Sequence, residues 1–216
     1  MSRITVIGGT GYAGSAIVAE AASRGHQVTA LSRSLPGSPV AGVDYVQGDA
    51  TDVAALGTAI AGAEFVVAAL APRGPLAGKL RGVYREVARL ALEAGARLVV
   101  VGGFSSLRPA PGAPRFSEDV SGIPEQFREE AVEVAHVITD DLPANPAELD
   151  WLFVSPAAVY GAYAPGERLG RYRVGDDVAL PGNDGPSAIS GADFGLAVVE
   201  LIEKDEHHRT QVNVAS

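Results

Sequence analysis

The first residues whose spacing could do chemistry form the glycine-rich turn Gly8-Gly9-Thr10-Gly11-Tyr12-Ala13-Gly14. It directly follows a short apolar run and opens a segment of helical character. In such a turn glycines allow a tight bend, close approach of a pyrophosphate to the backbone, and close packing of helix on strand. Exposed N–H groups and the positive end of the helix dipole would face the phosphates. The pattern predicts a dinucleotide site at Gly8, Thr10, Gly11, Tyr12, Ala13 and Gly14; the alternative is an ordinary strand-to-helix turn that needs glycine only for its conformation.

The residues after the second predicted strand indicate which dinucleotide would bind. In NAD sites an acid at this position takes the ribose hydroxyls, whereas in NADP sites an arginine pairs with the 2′-phosphate. Here the sequence reads Ser32-Arg33-Ser34, with no acid, and Arg33 follows Gly11 at close to the expected spacing of about 20 residues. We therefore expect NADP(H) to be preferred over NAD(H), with Ser32 and Arg33 as ligands; the alternative is a solvated loop arginine.

A second acid lies near the expected adenine position, after the third predicted strand. Asp49, with Ala50 beside it, could contact the adenine amino group. Asp49 could equally cap the helix that follows, although Thr51 or Asp52 would do so as well. Both roles of Asp49 stay open at this point.

The elements that must position these residues alternate between short β-branched runs and longer alanine-rich segments, which is typical of βαβ units. Strands are predicted at residues 3–7, 26–31, 43–47, 64–70, 97–101, 150–154 and 211–214, and helices at residues 11–24, 53–61, 76–94, 125–139 and 192–203. The proline-bearing residues 107–124 are expected to be a loop. The fold class is α/β, a Rossmann-type doubly wound, mainly parallel sheet flanked by helices, in one NAD(P)-binding domain of residues 1–216.

The segment 157–190 is rich in Gly, Pro and Tyr and predicts an irregular substrate lobe, with one hairpin at most. Such a lobe would lie over the C-terminal ends of the strands, where ligands bind in open α/β sheets.

Composition limits the partners and the chemistry. Of 216 residues, 47% are hydrophobic and 20% charged, enough for a large core. The net charge of −9 argues against nucleic acid or an anionic membrane as the main partner. The absence of cysteine excludes disulfides and thiolate chemistry, and no residue cluster has the spacing of a metal site. No apolar run approaches the roughly 20 residues of a membrane span and no signal peptide is evident, so we expect a cytoplasmic monomer or homodimer.

Several segments together resemble a known family. They are residues 7–14, 31–33, 48–49, 150–158, 165–168, 170–175 and 188–194, of which the stretch from Asp150 to Val174 is the more specific. The chain resembles the atypical short-chain dehydrogenases/reductases, in particular the NAD(P)H-binding NADH-flavin reductase group, similar to biliverdin-IXβ (flavin) reductase. The resemblance implies that the glycine turn and Arg33 hold the 2′-phosphate half of the cofactor. It further implies a nicotinamide side formed by Leu70 and Ala71, by Gly102, Gly103 and Phe104, and by Ser155, Pro156 and Ala157.

The usual proton-transfer pair of carbonyl-reducing short-chain dehydrogenases is missing, because no tyrosine has a lysine four residues later. Reduction of a ketone forms an alkoxide that needs a positioned acid. Reduction of a flavin or quinone forms a delocalised anion that can take its proton from water, so proximity and orientation suffice. The sequence favours an NADPH-dependent oxidoreductase for a small planar acceptor such as flavin or quinone. The alternative is a non-catalytic NADP-binding sensor or regulatory protein, and the fold does not decide between them.

Other polar residues are weaker candidates, each with a structural alternative. Ser105 and Ser106 could orient substrate or relay a proton, or could simply cap a turn. His136 titrates in the useful range, but a lone helical histidine is more often packed or on the surface. Phe104 and Tyr160 could contact a planar substrate, although Tyr160, Tyr163 and Tyr172 could instead form a small satellite core. Arg168, Arg171 and Arg173 could attract an anionic substrate such as a flavin phosphate, or form a charged surface ribbon.

Overall fold

The central sheet of the computed structural model, which describes residues 1–182 and 185–216, has eight strands in the order β3-β2-β1-β4-β5-β6-β8-β7. All neighbours pair in parallel except β7 and β8, which are antiparallel. The middle strands are apolar and buried on both faces, as parallel strands covered by helices must be. The strands are β1 Arg3–Ile7, β2 Gln27–Ser32, β3 Val43–Gln47, β4 Phe65–Ala68, β5 Arg97–Val101, β6 Trp151–Pro156, β7 Arg173–Gly175 and β8 Thr210–Ala215.

Helices cover both faces of this sheet, which confirms the predicted doubly wound α/β class. The helices are α1 Tyr12–Ser23, α2 Val53–Ile60, α3 Leu80–Ala94, α4 Glu125–His136 and α5 Gly191–Lys204. On one face, Ile17 of α1 and Phe194 of α5 pack on the buried side chains of β1 and β6. On the other face, α2, α3 and α4 enclose a second cluster around Leu56 and Phe153. No helix in the described ranges is both long and apolar enough to cross a bilayer.

Local signals explain where these helices begin and end. The Asp52 carboxylate caps α2 by accepting from the Ala54 N–H at 2.9 Å, and the Ser190 hydroxyl caps α5 by accepting from the Asp193 N–H at 3.0 Å. Helix α3 ends at Gly95, whose φ of 65° is the left-handed conformation that glycine adopts without strain. The element types were therefore readable from the sequence.

Two predicted helix boundaries differ from those in the structure, and the first of them has a tertiary cause. Helix α3 starts at Leu80 rather than at residue 76, because the Glu133 carboxylate of α4 accepts from the N–H groups of Gly78 at 2.9 Å and Leu80 at 2.7 Å. Helix α4 ends at His136 and continues as the π-helical turn Val137–Asp141. A carboxylate from a distant helix sets the first of these boundaries, so the sequence window around it could not reveal it.

The segment 157–190 is mostly irregular in its described part. In its described part it supplies the edge strand β7, which pairs with β8. The expected hairpin is reduced to a single bridge between Gly161 and Ala164. Residues 160–172 contact α1 and α5, residues 177–179 pair with Arg108 of the loop after β5, and residues 183–184 lie outside the described part. We call the described residues of this stretch the late segment.

Sheet topology fixes where a ligand site can form. From β1 the strand order runs outward to β2 and β3 on one side and to β4, β5 and β6 on the other. In such sheets the crevice forms at the carboxyl ends of the strands where the order reverses. Here that point is between β1 and β4, where Ile7 pairs with Ala68. The glycine turn after β1 and the loop after β4 therefore lie side by side at the carboxyl ends of these two central strands.

Candidate functional site

The glycine turn is shaped by contacts between backbones. Gly8 has a φ of +88°, and a Cβ there would lie 2.4 Å from the Ala69 carbonyl oxygen of the neighbouring loop. A Cβ on Gly14 would lie 2.1 Å from the Gly8 carbonyl oxygen. Gly11 differs, since its φ of −72° is ordinary and a Cβ would meet only the Gly8 oxygen, at 3.2 Å. The fold therefore requires glycine at positions 8 and 14. At position 11 the surrounding chain would tolerate a small side chain more easily, and the glycine leaves open the space that a Cβ would fill.

The N-terminus of α1 is built to receive an anion. Its cap residue Gly11 has no side chain to satisfy the first N–H groups, and the first turn contains no acid. The N–H groups of Tyr12, Ala13 and Gly14 have no intrahelical acceptor by helix geometry. These donors and the helix dipole favour a phosphate group. The residues present therefore fit a dinucleotide pyrophosphate.

The predicted adenosine-side residues gather at the ends of β2 and β3. Arg33 is exposed at the end of β2, and Ser32 is buried with its hydroxyl donating to the Ser34 carbonyl oxygen at 3.1 Å. Asp49 does not cap α2, because Asp52 does; it instead accepts from the N–H and hydroxyl of Thr51, both at 2.8 Å. These two hydrogen bonds lower the pKa of Asp49, and the positive charge of Arg33 acts in the same direction. Of the two roles open for Asp49, the capping role is therefore wrong; Ala50 is buried beside it.

A tyrosine that the sequence analysis missed holds the loop after β4. The Tyr84 hydroxyl of α3 accepts from the Leu70 N–H and donates to the Leu70 carbonyl oxygen, each at 3.0 Å. Burial raises the pKa of Tyr84, so it stays neutral. This loop brings Ala69 and Leu70 next to Gly8 and carries exposed Ala71; the roles of Leu70 and Ala71 along the cofactor path stay predictions. The available signal was the position of Tyr84 in the first half of the helix that follows β4.

The hydroxyl groups after β5 and β6 are mostly enclosed. Ser106 and Ser155 are fully buried, their hydroxyl oxygens 3.1 Å apart, and the Gln211 side-chain amide donates to both at 2.9 Å. Pro156 and Ala157 are buried as well. The structure does not support Ser106 as a proton relay, nor direct side-chain contact of Ser155, Pro156 and Ala157 with a carboxamide. Through Gln211, the hydroxyl groups of Ser106 and Ser155 join the loop after β5 and strand β6 to strand β8.

The loop after β5 presents an aromatic side chain instead. Gly102 approaches Phe153 so closely that a Cβ would lie 2.0 Å from the ring. Half-buried Phe104 stacks on Phe116, with ring centroids 5.0 Å apart and an interplanar angle of 21°. Ser105 makes only a long hydrogen bond, 3.4 Å, to a carbonyl oxygen of α4. Phe116 was missed because it lies in the proline-bearing loop, where no periodicity marks it.

Three other candidates are engaged elsewhere. His136 is partly exposed and bonds to Asp140 at 2.7 Å, within an ion-pair cluster on α3 and α4. Arg168 pairs at 2.9 Å with Glu20, about 12 Å along α1 from its anion-binding end, beside a groove of about 380 Å³. Tyr160 packs on Phe194 at a centroid distance of 4.7 Å. These contacts give His136, Arg168 and Tyr160 structural roles, and their catalytic or substrate roles stay predictions.

Two arginines of the late segment have different surroundings. Arg173 donates to the Ser216 carbonyl oxygen at 2.6 Å, which ties β7 to the end of β8. Arg171 is exposed, and its contact with a substrate stays a prediction.

Near the amino ends of β6 and β8, the side chains of Asp150, Asp205 and His208 come within the distance at which they could share a metal ion. Spacing in the sequence could not reveal this cluster. The guanidinium group of buried Arg97 lies between the two carboxylates, 2.9 Å from Asp150 and paired with Asp205. The cluster already contains a cation and is remote from the crevice.

The comparison with known proteins agrees with this geometry. A family model described as NAD(P)H-binding matches residues 8–205. A Burkholderia pseudomallei structure, provisionally assigned as an exported protein, is 36% identical with a TM-score of 0.85, over all of both chains. A Bacteroides thetaiotaomicron structure, provisionally assigned as an epimerase, is 30% identical with a TM-score of 0.87, over 99% of this chain and 96% of that one.

A third solved structure carries a name that bears on the chemistry. The Streptococcus pneumoniae protein, provisionally assigned as an NADH-flavin reductase, is 27% identical with a TM-score of 0.83 over all of both chains. The three solved structures share the fold of this chain. With the family match over most of its length, this chain belongs to the NAD(P)H-binding family, in the atypical short-chain dehydrogenase/reductase group.

Proposed function

We propose that the protein is an NADPH-dependent oxidoreductase that reduces a planar acceptor of the flavin or quinone type. The observation that carries the proposal is the make-up of the crevice after β4, β5 and β6. Residues 69–71, 102–106 and 155–158 contain no Tyr, Lys, His, Cys, Asp or Glu, and two of their three serines are buried. A crevice without an acid suits an acceptor whose reduced form takes its proton from water.

The proposed cofactor contacts divide between two halves of the crevice. The N–H groups of residues 12–14 would hold the pyrophosphate, and Arg33 would pair with a 2′-phosphate. Leu70, Ala71, Gly102 and Gly103 would line the path to the nicotinamide. When bound, the nicotinamide ring supplies the hydride, and these residues hold and orient it and exclude water.

The proposed acceptor side is aromatic. Phe104, held flat by its stack on Phe116, borders the crevice after β5. Exposed Arg73 belongs to the segment between β4 and α3. Its guanidinium group lies 5.8 Å from the centre of the Phe127 ring of α4 and donates two hydrogen bonds to Glu130, at 2.7 and 2.9 Å. Planar rings and a fixed guanidinium favour stacking of a flat conjugated molecule. Arg73 is thus a second cation, besides Arg171, that we expect near an acceptor.

The proposal predicts a pattern of turnover. With saturating NADPH, we expect nucleotide oxidation at 340 nm with FMN and with a benzoquinone, and none with a simple ketone, because the crevice has no acid to protonate an alkoxide. Nucleotide affinity should be measured independently by titration calorimetry. Reduction of the ketone alone would contradict the proposal. Tight NADPH binding without turnover on any acceptor would favour the sensor.

A substitution on the acceptor side gives a second prediction. Phe116→Leu removes the ring that holds Phe104, and we expect it to raise the KM for FMN about three- to tenfold, as loss of about 0.5–1.5 kcal/mol of aromatic pairing would do. The NADPH dissociation constant should stay within twofold, about 0.4 kcal/mol. Arg89→Ala, at an exposed position on α3, is the control and should change neither. Equal changes in KM and in NADPH affinity would place Phe116 outside the acceptor side.

The cellular setting is part of the same proposal. A cytoplasmic monomer or homodimer, without nucleic acid or membrane as partner, is what we expect. Fractionation of the source cells tests the compartment, and the exported assignment of the Burkholderia relative makes that test worthwhile. Light scattering tests the oligomeric state.

A further inference from the structure

The side chain of Tyr12 connects the glycine turn to the late segment. Its hydroxyl accepts from the Gly191 N–H at 3.0 Å and donates to the Pro165 carbonyl oxygen at 3.1 Å. Its ring meets Tyr160 edge-on, with centroids 5.2 Å apart and an interplanar angle of 65°. One phenol therefore contacts three separate parts of the chain, all far from it in sequence.

The surroundings of Tyr12 are fitted to this position. A Cβ on Gly191 would lie 2.9 Å from the Tyr12 ring, so the ring packs directly against the backbone at the start of α5. Tyr160, on which the Tyr12 ring rests, is held in turn by Phe194 of α5. The Tyr12 ring thus lies between the Gly191 backbone and the Tyr160 ring.

The segment that Tyr12 reaches is itself fixed to α5. Fully buried Asp193 accepts from the N–H groups of Leu169 at 2.9 Å and Gly170 at 2.8 Å. Its carboxylate also accepts from the Ser190 hydroxyl at 2.8 Å. Residues 165–170 and the first turn of α5 therefore form one hydrogen-bonded unit. Tyr12 joins this unit to the glycine turn, and the Arg168–Glu20 ion pair joins it to α1 farther along the helix.

Tyr12 is also the first residue of α1, so its backbone N–H is among the donors of the anion site described above. We propose that Tyr12 is a positioning residue that couples nucleotide binding at the glycine turn to the ordering of residues 165–170 through its phenol. The inference rests on the proposed nucleotide site. A nucleotide that fixes the backbone of Tyr12 also fixes its ring, and by linkage an ordered late segment strengthens nucleotide binding by the same factor.

The late segment offers a matched control. The Tyr172 hydroxyl donates to the Glu200 carboxylate of α5 at 2.6 Å, so it also joins this segment to α5. It has no bond to the glycine turn. Tyr172→Phe removes a phenol hydrogen bond of the same kind, without touching the link that Tyr12 makes.

Hydrogen–deuterium exchange on the full chain, with and without saturating NADPH, tests the coupling without any need for turnover. In the wild-type protein we expect NADPH to slow exchange in residues 8–14 and, about fivefold or more, in residues 166–170. In Tyr12→Phe the slowing should persist in residues 8–14 and fall below about twofold in residues 166–170, while Tyr172→Phe should respond as the wild type does. Both variants keep the ring, and circular dichroism checks that they fold.

Three results would contradict these expectations, and each shows whether the coupling or the nucleotide site is wrong. Full protection of residues 166–170 in Tyr12→Phe would overturn the coupling while leaving the nucleotide site intact. Equal loss in Tyr172→Phe would overturn it too, because it would reveal general loosening of the late segment. Absence of protection in residues 8–14 of the wild-type protein would refute the nucleotide site, and the inference with it.

Discussion

Gly14→Ala is expected to lower the free energy of unfolding by about 1–3 kcal/mol, the usual cost of overpacking, and to weaken NADPH binding by an order of magnitude or more. The new Cβ would lie 2.1 Å from the Gly8 carbonyl oxygen, 2.8 Å from the Gly8 carbonyl carbon and 3.0 Å from the Gly9 Cα. All three atoms are backbone, so no side chain can rotate away. The turn itself must move, and the N–H donors move with it. Loss of even one hydrogen bond to a charged group, about 1.5–3 kcal/mol, corresponds to roughly 10- to 150-fold in affinity.

The control for this substitution is Gly82→Ala in α3. Gly82 is exposed, and a Cβ there would have no heavy atom within 4 Å. Gly82 lies in the first turn of α3, where alanine is still a better helix former than glycine, so this variant should be at least as stable as the wild type and bind NADPH normally. Thermal unfolding with and without NADPH measures both effects. If the two variants behave alike, the close packing of α1 against the turn does not govern the site.

The sequence predicted the frame because its signals are local. Buried strands such as β1 and β5 are short apolar runs, and Gly95 marks a helix end by its own conformation. The glycine turn was equally accessible, since Gly8 and Gly14 follow from the requirement that α1 pack tightly after β1. The alternating order of strands and helices then placed the crevice at the carboxyl ends of the strands.

What the sequence could not predict depends on side chains that meet only in the folded chain. Ser106 and Ser155 follow strands that end at the crevice, which made them candidates, yet Gln211 of the last strand reaches both hydroxyls and closes them off. For Arg168, attraction of an anionic substrate and a charged surface ribbon were both open, and the sequence could not show that its ion-pair partner is Glu20 of the first helix. Burial of a polar group and choice of an ion-pair partner are tertiary properties, and no window of sequence contains both partners.

The same reason accounts for the residues that were missed. Tyr84 and Phe116 each support a predicted residue, Leu70 and Phe104, from an element that neither spacing nor periodicity connects to it. The residues proposed to touch the cofactor were named from the pattern and the resemblance, whereas neither of these points to the residues that hold them in place. Tyr12 belongs to both groups, since its backbone was part of the motif and the partners of its side chain were not.

Arg33→Ala is the substitution that most directly tests the choice of nucleotide. Arg33 is exposed at the end of β2, close enough to Asp49 for their charges to interact. If Arg33 pairs with a 2′-phosphate, its removal costs about 1.5–3 kcal/mol of charge-assisted hydrogen bonding, or roughly 10- to 150-fold in the NADPH dissociation constant. NADH has no 2′-phosphate, so its dissociation constant should change less than about twofold.

Arg89→Ala removes the same charge from an exposed position on α3, where Arg89 pairs with Glu86 and Glu93. It should leave both affinities unchanged, which separates a specific contact from a change in net charge. Calorimetric titrations at two ionic strengths complete the comparison, because pairing with a doubly charged phosphate weakens as salt rises. Equal losses for NADPH and NADH in Arg33→Ala would refute the NADP assignment. The glycine turn would then remain a general dinucleotide site, with Asp49 the nearest candidate for the adenosine side.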